Sequence, residues 1–105
     1  MKKCQKSYNE TMTDLEKSRE KIDQIDREIS RLFEERLDLT DAIGLYKAER
    51  GLPVYDPVRE NEKLLELAKH AHPDKADDVK ELFSKMMEIA RTREDRIIEN
   101  EKKHC

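Results

Sequence analysis

From Leu15 to Tyr46 the apolar residues recur at intervals that fit one face of an α-helix. After Leu15, positions 22, 25, 29, 32, 36, 39, 43 and 46 hold Ile, Ile, Ile, Leu, Arg, Leu, Ile and Tyr. Alternating steps of three and four draw a single stripe close to a heptad seam, whereas a strand would alternate with period two. No other feature constrains the fold as much. Thr13 followed by Glu16 has the spacing of a capping box. Gly51 followed by Pro53 is end punctuation. The spacing predicts a helix from about residue 14 to about residue 50, roughly 55 Å long at the α-helical rise.

Two further helices follow. Asp56-Pro57 sets an acidic N-cap before a proline at the first helical position. That second helix carries Leu64, Leu65, Leu67, Ala68 and Ala71, and is predicted to end before Pro73, with Ala71-His72 already leaving it. Asp74 can cap a third helix, whose stripe reads Val79, Leu82, Phe83, Met86, Ala90, Arg93 and Ile97, running to about residue 102. His70 and His72, two apart near a helix end, read as a surface pair. The expected organisation is all-α, long-short-long, with a helical domain over 13–105 behind a flexible tail over 1–12.

Composition narrows the classes of function. Only 22 of the 105 residues are Leu, Ile, Val or Phe, close to the range where chains stay disordered. The helical periodicity overrides that signal, and 22 Lys and Arg against 25 Asp and Glu leave a formal charge of only −3. So near-neutral a balance gives no reason to expect nucleic acid. Two Gly, three Pro and no Trp argue against an all-β fold. No apolar run approaches the ~20 residues of a membrane span, and Met1 to Ser7 lead into no apolar secretory segment. Cys4 and Cys105, at the two extremes, read as free thiols of a reducing compartment. The expectation is a cytoplasmic protein with no membrane and no nucleic-acid partner.

The first helix is too long for its own chain to cover. A compact 100-residue domain has a radius of gyration of roughly 13 Å, and the stripe continues along nearly the whole helix. A second copy, in a two-fold intertwined homodimer, is the simplest cover.

Arg36 interrupts this stripe between Leu32 and Leu39. A guanidinium there keeps its charge and requires an acceptor. A carboxylate that fixes the register and an anionic ligand both satisfy that requirement. Lys47 lies three turns on, within about 20° of Arg36 around the helix and roughly 16 Å along it. Two long cations on one face favour an anionic guest.

These residues resemble those of the all-helical chorismate mutases. The likeness runs from Leu15 to about Arg96. It is carried by Arg19-Glu20-Lys21-Ile22-Asp23-Gln24-Ile25-Asp26, by Glu35-Arg36, by Lys47, and by Pro53-Val54-Tyr55-Asp56-Pro57-Val58-Arg59-Glu60. The resemblance implies three helices per subunit, an intertwined homodimer with two active sites, and the unimolecular rearrangement of chorismate to prephenate, with no metal or cofactor. It also implies roles. Arg36 and Arg19 of the partner subunit would each grip a substrate carboxylate. Arg19, roughly 25 Å from Arg36 and about 100° around the helix, cannot reach that site in its own subunit. Lys47 would donate to the ether oxygen whose bond breaks. Asp56 and Glu60 would hold the substrate hydroxyl, and Arg59 would add positive field.

On the third helix, Glu94 falls three turns after Phe83, on the flank of the stripe. Many members of the family carry Gln there as a donor to the ether oxygen, and some carry Glu. A carboxylate donates only when protonated, so burial among other acids, or activity favouring acidic pH, is expected. Ala90 stands where some relatives have a serine that touches a carboxylate, so that contact is missing.

Two alternatives remain at this level. An isochorismate pyruvate lyase uses the same fold, although the Asp56–Glu60 pair favours the mutase. A dimeric helical adaptor without catalysis would suit the charge and the seam, but gives no reason for Arg36 and Lys47.

Overall fold

A computed structural model of the chain describes residues 13–103. The predicted tail over 1–12, with Cys4, and Cys105 at the other end lie outside the described residues. Three helices follow in the expected long-short-long order: α1 Asp14–Arg50, α2 Pro57–His70 and α3 Ala76–Lys103, with a short 3₁₀ turn Pro73–Lys75 before α3. Among the described residues, no helix is long and apolar enough to cross a membrane.

The helix ends follow local chemistry. Thr13 N–H donates to Glu16 Oε1 at 3.2 Å and Glu16 N–H donates to Thr13 Oγ1 at 3.1 Å, a reciprocal capping box. At the other end of α1, Gly51 takes a φ of 66°, and Leu52 N–H donates to Lys47 O at 2.9 Å. That is the 6→1 bond of a Schellman stop, where glycine removes the penalty for left-handed backbone. Asp56 caps α2 by accepting from Arg59 N–H at 3.1 Å, with Pro57 in the first turn. Ala71 is extended, with φ −87° and ψ 159°, and ends α2 where expected.

The start of the third helix differs from the sequence expectation. His72, not Asp74, holds the capping position: its Nδ1 accepts from Asp74 N–H at 3.3 Å, and Lys75 N–H donates to His72 O at 2.8 Å. Pro73 fixes a tight turn that winds directly into α3, which places Asp74 inside the turn.

The chain divides into two units, Met1–Arg36 and Leu37–Cys105. In the first, the described stretch of α1 exposes Leu15, Ile22, Ile25, Ile29 and Leu32, whereas Phe33 and Arg36 are half-buried. In the second, α2 packs against α3, and the buried positions are Gly44, Met87, Ala90 and Glu94. The inward face of α3 is therefore rotated from the predicted stripe. Leu82 is exposed, and Met87 and Glu94 are enclosed. A helix face chosen on apolar content alone passes over a carboxylate that has a partner to offset the cost of its burial.

Candidate functional site

The centre of the second unit is a lysine–glutamate pair. Lys47, in the last turn of α1, donates from Nζ to Glu94 Oε1 at 3.1 Å and to the Val54 carbonyl at 3.0 Å. Glu94 is 6% exposed. The bond to Val54 ties the loop between α1 and α2 to the helix it has just left. An ammonium has three donors, and these two bonds engage two of them. Burial of Glu94 was one of two expectations for it; the carboxylate is buried, but its ionic partner is the cation Lys47 rather than other acids. Lys47 also borders a cavity of about 300 Å³ with Gly51, Leu52 and Ile98 on its walls, the lower end of the range for small-molecule sites.

Gly44 permits this burial. A Cβ built there would stand 3.0 Å from Glu94 Cγ and 3.3 Å from Glu94 Cα. The helices therefore approach so closely that a methyl at position 44 would require Glu94 to give by a few tenths of an ångström.

A second ion pair lies between α2 and α3. Arg91 Nη1 donates to Glu60 Oε1, and the Arg91 guanidinium carbon lies 4.6 Å from the centre of the Tyr55 ring. Hydrogen bonding to Glu60 holds Arg91 above the ordinary arginine range. A third pair is bidentate: Arg93 Nε and Nη2 donate to Asp41 Oδ1 and Oδ2 at 2.9 and 2.6 Å. The hydrogen bond from Arg93 pulls Asp41 below the ordinary carboxylate range, and Arg93 is raised in turn.

The remaining expected residues are distributed as follows. Asp56 and Arg59 are exposed at the start of α2, joined only through the capping bond from Arg59 N–H. Ala90 is buried. Arg19 and Arg36 belong to the first unit. Arg19 is exposed. Arg36 Nη1 is shielded from solvent and has no hydrogen-bond partner among the described residues. Buried polar groups ordinarily have a partner. No cluster of three or more His, Cys, Asp or Glu is arranged to hold a metal among the described residues.

The model of the family described as Chorismate mutase type II matches residues 18–95. The chain belongs to the chorismate mutase type II family. Over shorter stretches it resembles two curated proteins. It is 44% identical over 54 residues to the T-protein of Haemophilus influenzae, covering 51% of this chain and 14% of that protein. It is 42% identical over 64 residues to the bifunctional chorismate mutase/prephenate dehydratase of Aquifex aeolicus, covering 58% of this chain and 18% of that protein. The chain thus spans less than a fifth of the length of either relative.

All eight residues expected from the chorismate mutase resemblance, Arg19, Arg36, Lys47, Asp56, Arg59, Glu60, Ala90 and Glu94, fall inside the matched span. The structure joins Lys47 to Glu94 and gives Glu60 a partner that sequence reasoning did not identify. Arg91 left no periodic signal, since its partners lie in other elements. Gly44 did leave one: a glycine inside a helix costs about 1 kcal/mol relative to alanine, so its presence implies close packing.

Proposed function

We propose that the chain is a chorismate mutase that rearranges chorismate to prephenate in phenylalanine and tyrosine biosynthesis, acting as a cytoplasmic homodimer. The observation that carries this reading is the family match over residues 18–95, a span that includes each residue the chemistry requires. The reaction is unimolecular. Its substrate is a flexible dianion that must be held in a compact chair with its ends together, so positioning supplies much of the rate. As the ether bond breaks, negative charge develops on oxygen, and fixed donors stabilise it.

In this reading Arg36 and the partner's Arg19 grip the carboxylates, with guanidinium geometry suited to both. The unsatisfied Nη1 of Arg36 supports that role. Lys47 donates to the ether oxygen with the N–H that Val54 and Glu94 leave open, and Glu94 donates to the same oxygen when protonated. Asp56 and Glu60 accept from the substrate hydroxyl, Arg59 adds positive field, and Ala90 lines the site without a polar contact. The exposure of Ile22, Ile25, Ile29, Leu39 and Ile43, each about half or more, supports burial of the α1 seam against a second copy.

The test is chorismate turnover by the wild type and by Arg36→Ala, with dimerisation checked by sedimentation. Wild type is expected to produce prephenate, and Arg36→Ala to lose at least about a hundredfold in kcat/KM while remaining dimeric. Salicylate plus pyruvate would assign the lyase instead. No turnover, together with no thermal stabilisation by a bicyclic dicarboxylate that mimics the chair, would leave the adaptor reading standing.

A further inference from the structure

We infer that Arg91 is a positioning residue for this reaction, acting through Glu60: it cancels the Glu60 charge and fixes the carboxylate for the substrate hydroxyl. The inference rests on the chorismate mutase reading and adds a residue to it. A hydroxyl-binding carboxylate beside a dianion is a liability, because like charges a few ångströms apart repel strongly in a partly desolvated site. A carboxylate paired with a guanidinium still accepts hydrogen bonds but brings no net charge.

The geometry suits that purpose. Glu60 and Arg91 are half-buried, with side chains 22% and 31% exposed. Their bond crosses from α3 to the first turn of α2, between residues 31 apart in sequence. Arg91 Nη1 takes Glu60 Oε1, which leaves the second carboxylate oxygen for another donor. Tyr55 fixes the guanidinium through a cation–π contact at 4.6 Å. One side chain thus joins the loop before α2, the start of α2 and the middle of α3. Asp56, the other expected hydroxyl ligand, caps the same turn, so Arg91 also sets where that turn sits against α3. A lysine in place of Arg91 would keep a cation near the Tyr55 ring but not the planar guanidinium with its several donors.

The experiment measures kcat and KM for wild type, Arg91→Gln, Arg91→Lys, Glu60→Gln and the Arg91→Gln/Glu60→Gln double variant, each checked for helicity and dimerisation. Repulsion of the dianion acts on substrate and transition state alike. Arg91→Gln is therefore expected to raise KM about tenfold and to change kcat by less than about twofold. Arg91→Lys recovers part of the loss. In the Glu60→Gln background no carboxylate is left for Arg91 to hold in place, so only the loss of its own positive field remains and Arg91→Gln raises KM by clearly less than in the wild type, about threefold. Equal losses in both backgrounds, or a loss confined to kcat, would overturn the inference and leave the chorismate mutase reading intact. Absence of turnover in the wild type overturns both. If Arg91→Gln fails to fold, Tyr55→Leu replaces it; this variant keeps both charges and frees the guanidinium. A KM rise that disappears in the Glu60→Gln background supports the inference, and one that persists there overturns it.

Discussion

Gly44 of α1 and Glu94 of α3 meet without a side chain between them: a Cβ on Gly44 would lie within 3.3 Å of the Glu94 backbone at Cα. This approach brings the buried carboxylate to Lys47, one turn further along α1. The packing of two helices and the ionic contact at the centre of the site are therefore one feature.

Gly44→Ala tests it. In an exposed helix the substitution would stabilise by up to about 1 kcal/mol. Here Glu94 has to give by a few tenths of an ångström, partly at its backbone, and overpacking costs about 1–3 kcal/mol. The expected result is a lower melting temperature by circular dichroism and reduced turnover, since Glu94 is pushed from Lys47. A raised melting temperature would show that Glu94 yields to the methyl at less cost than the helix gains from alanine.

Glu94→Gln is expected to extend activity toward neutral and alkaline pH. A carboxylate donates a hydrogen bond only in its protonated form, whereas an amide donates at every pH. The amide oxygen can also keep the bond from Lys47 Nζ, made at 3.1 Å in the wild type. The measurement is kcat/KM from pH 4 to pH 9, on the order of the range over which carboxylates lose their protons and beyond. An unchanged profile would remove Glu94 from the donor role.

Asp41→Asn addresses acid stability. The Arg93 hydrogen bond holds Asp41 below its ordinary value of 3.8. A carboxylate lowered on folding contributes stability above that ordinary value and loses it as pH falls through the lower, folded value. Wild type should therefore lose stability below about pH 4 more steeply than Asp41→Asn, which has no proton to take up. Denaturant unfolding at pH 7 and pH 3 measures the difference.

Asp56 serves two roles that substitution can separate. Its Oδ1 caps α2 by accepting from Arg59 N–H, and the other oxygen is proposed for the substrate. Asp56→Asn retains an oxygen for the cap but turns the second position into a donor. It should keep wild-type stability and lose about tenfold in kcat/KM. Asp56→Ala loses both, with about 1 kcal/mol of stability gone through the cap.

What the sequence determined by itself was local. The ends of α1 and the start of α2 depend on residues three to five apart, such as Thr13 with Glu16, Lys47 with Leu52 and Asp56 with Arg59, so their chemistry is local. The exposed seam of α1 is equally plain, because helical periodicity needs no partner to be read. The tertiary structure decided the pairings. Lys47 with Glu94, Asp41 with Arg93 and Glu60 with Arg91 are 47, 52 and 31 residues apart. In a chain that is 45% charged, each of these groups has many potential partners of opposite sign, and sequence spacing across turns does not choose among them. Packing does. Gly44 lets α3 come close enough to enclose Glu94, burial requires that carboxylate to find a cation, and among the described residues Lys47 supplies it.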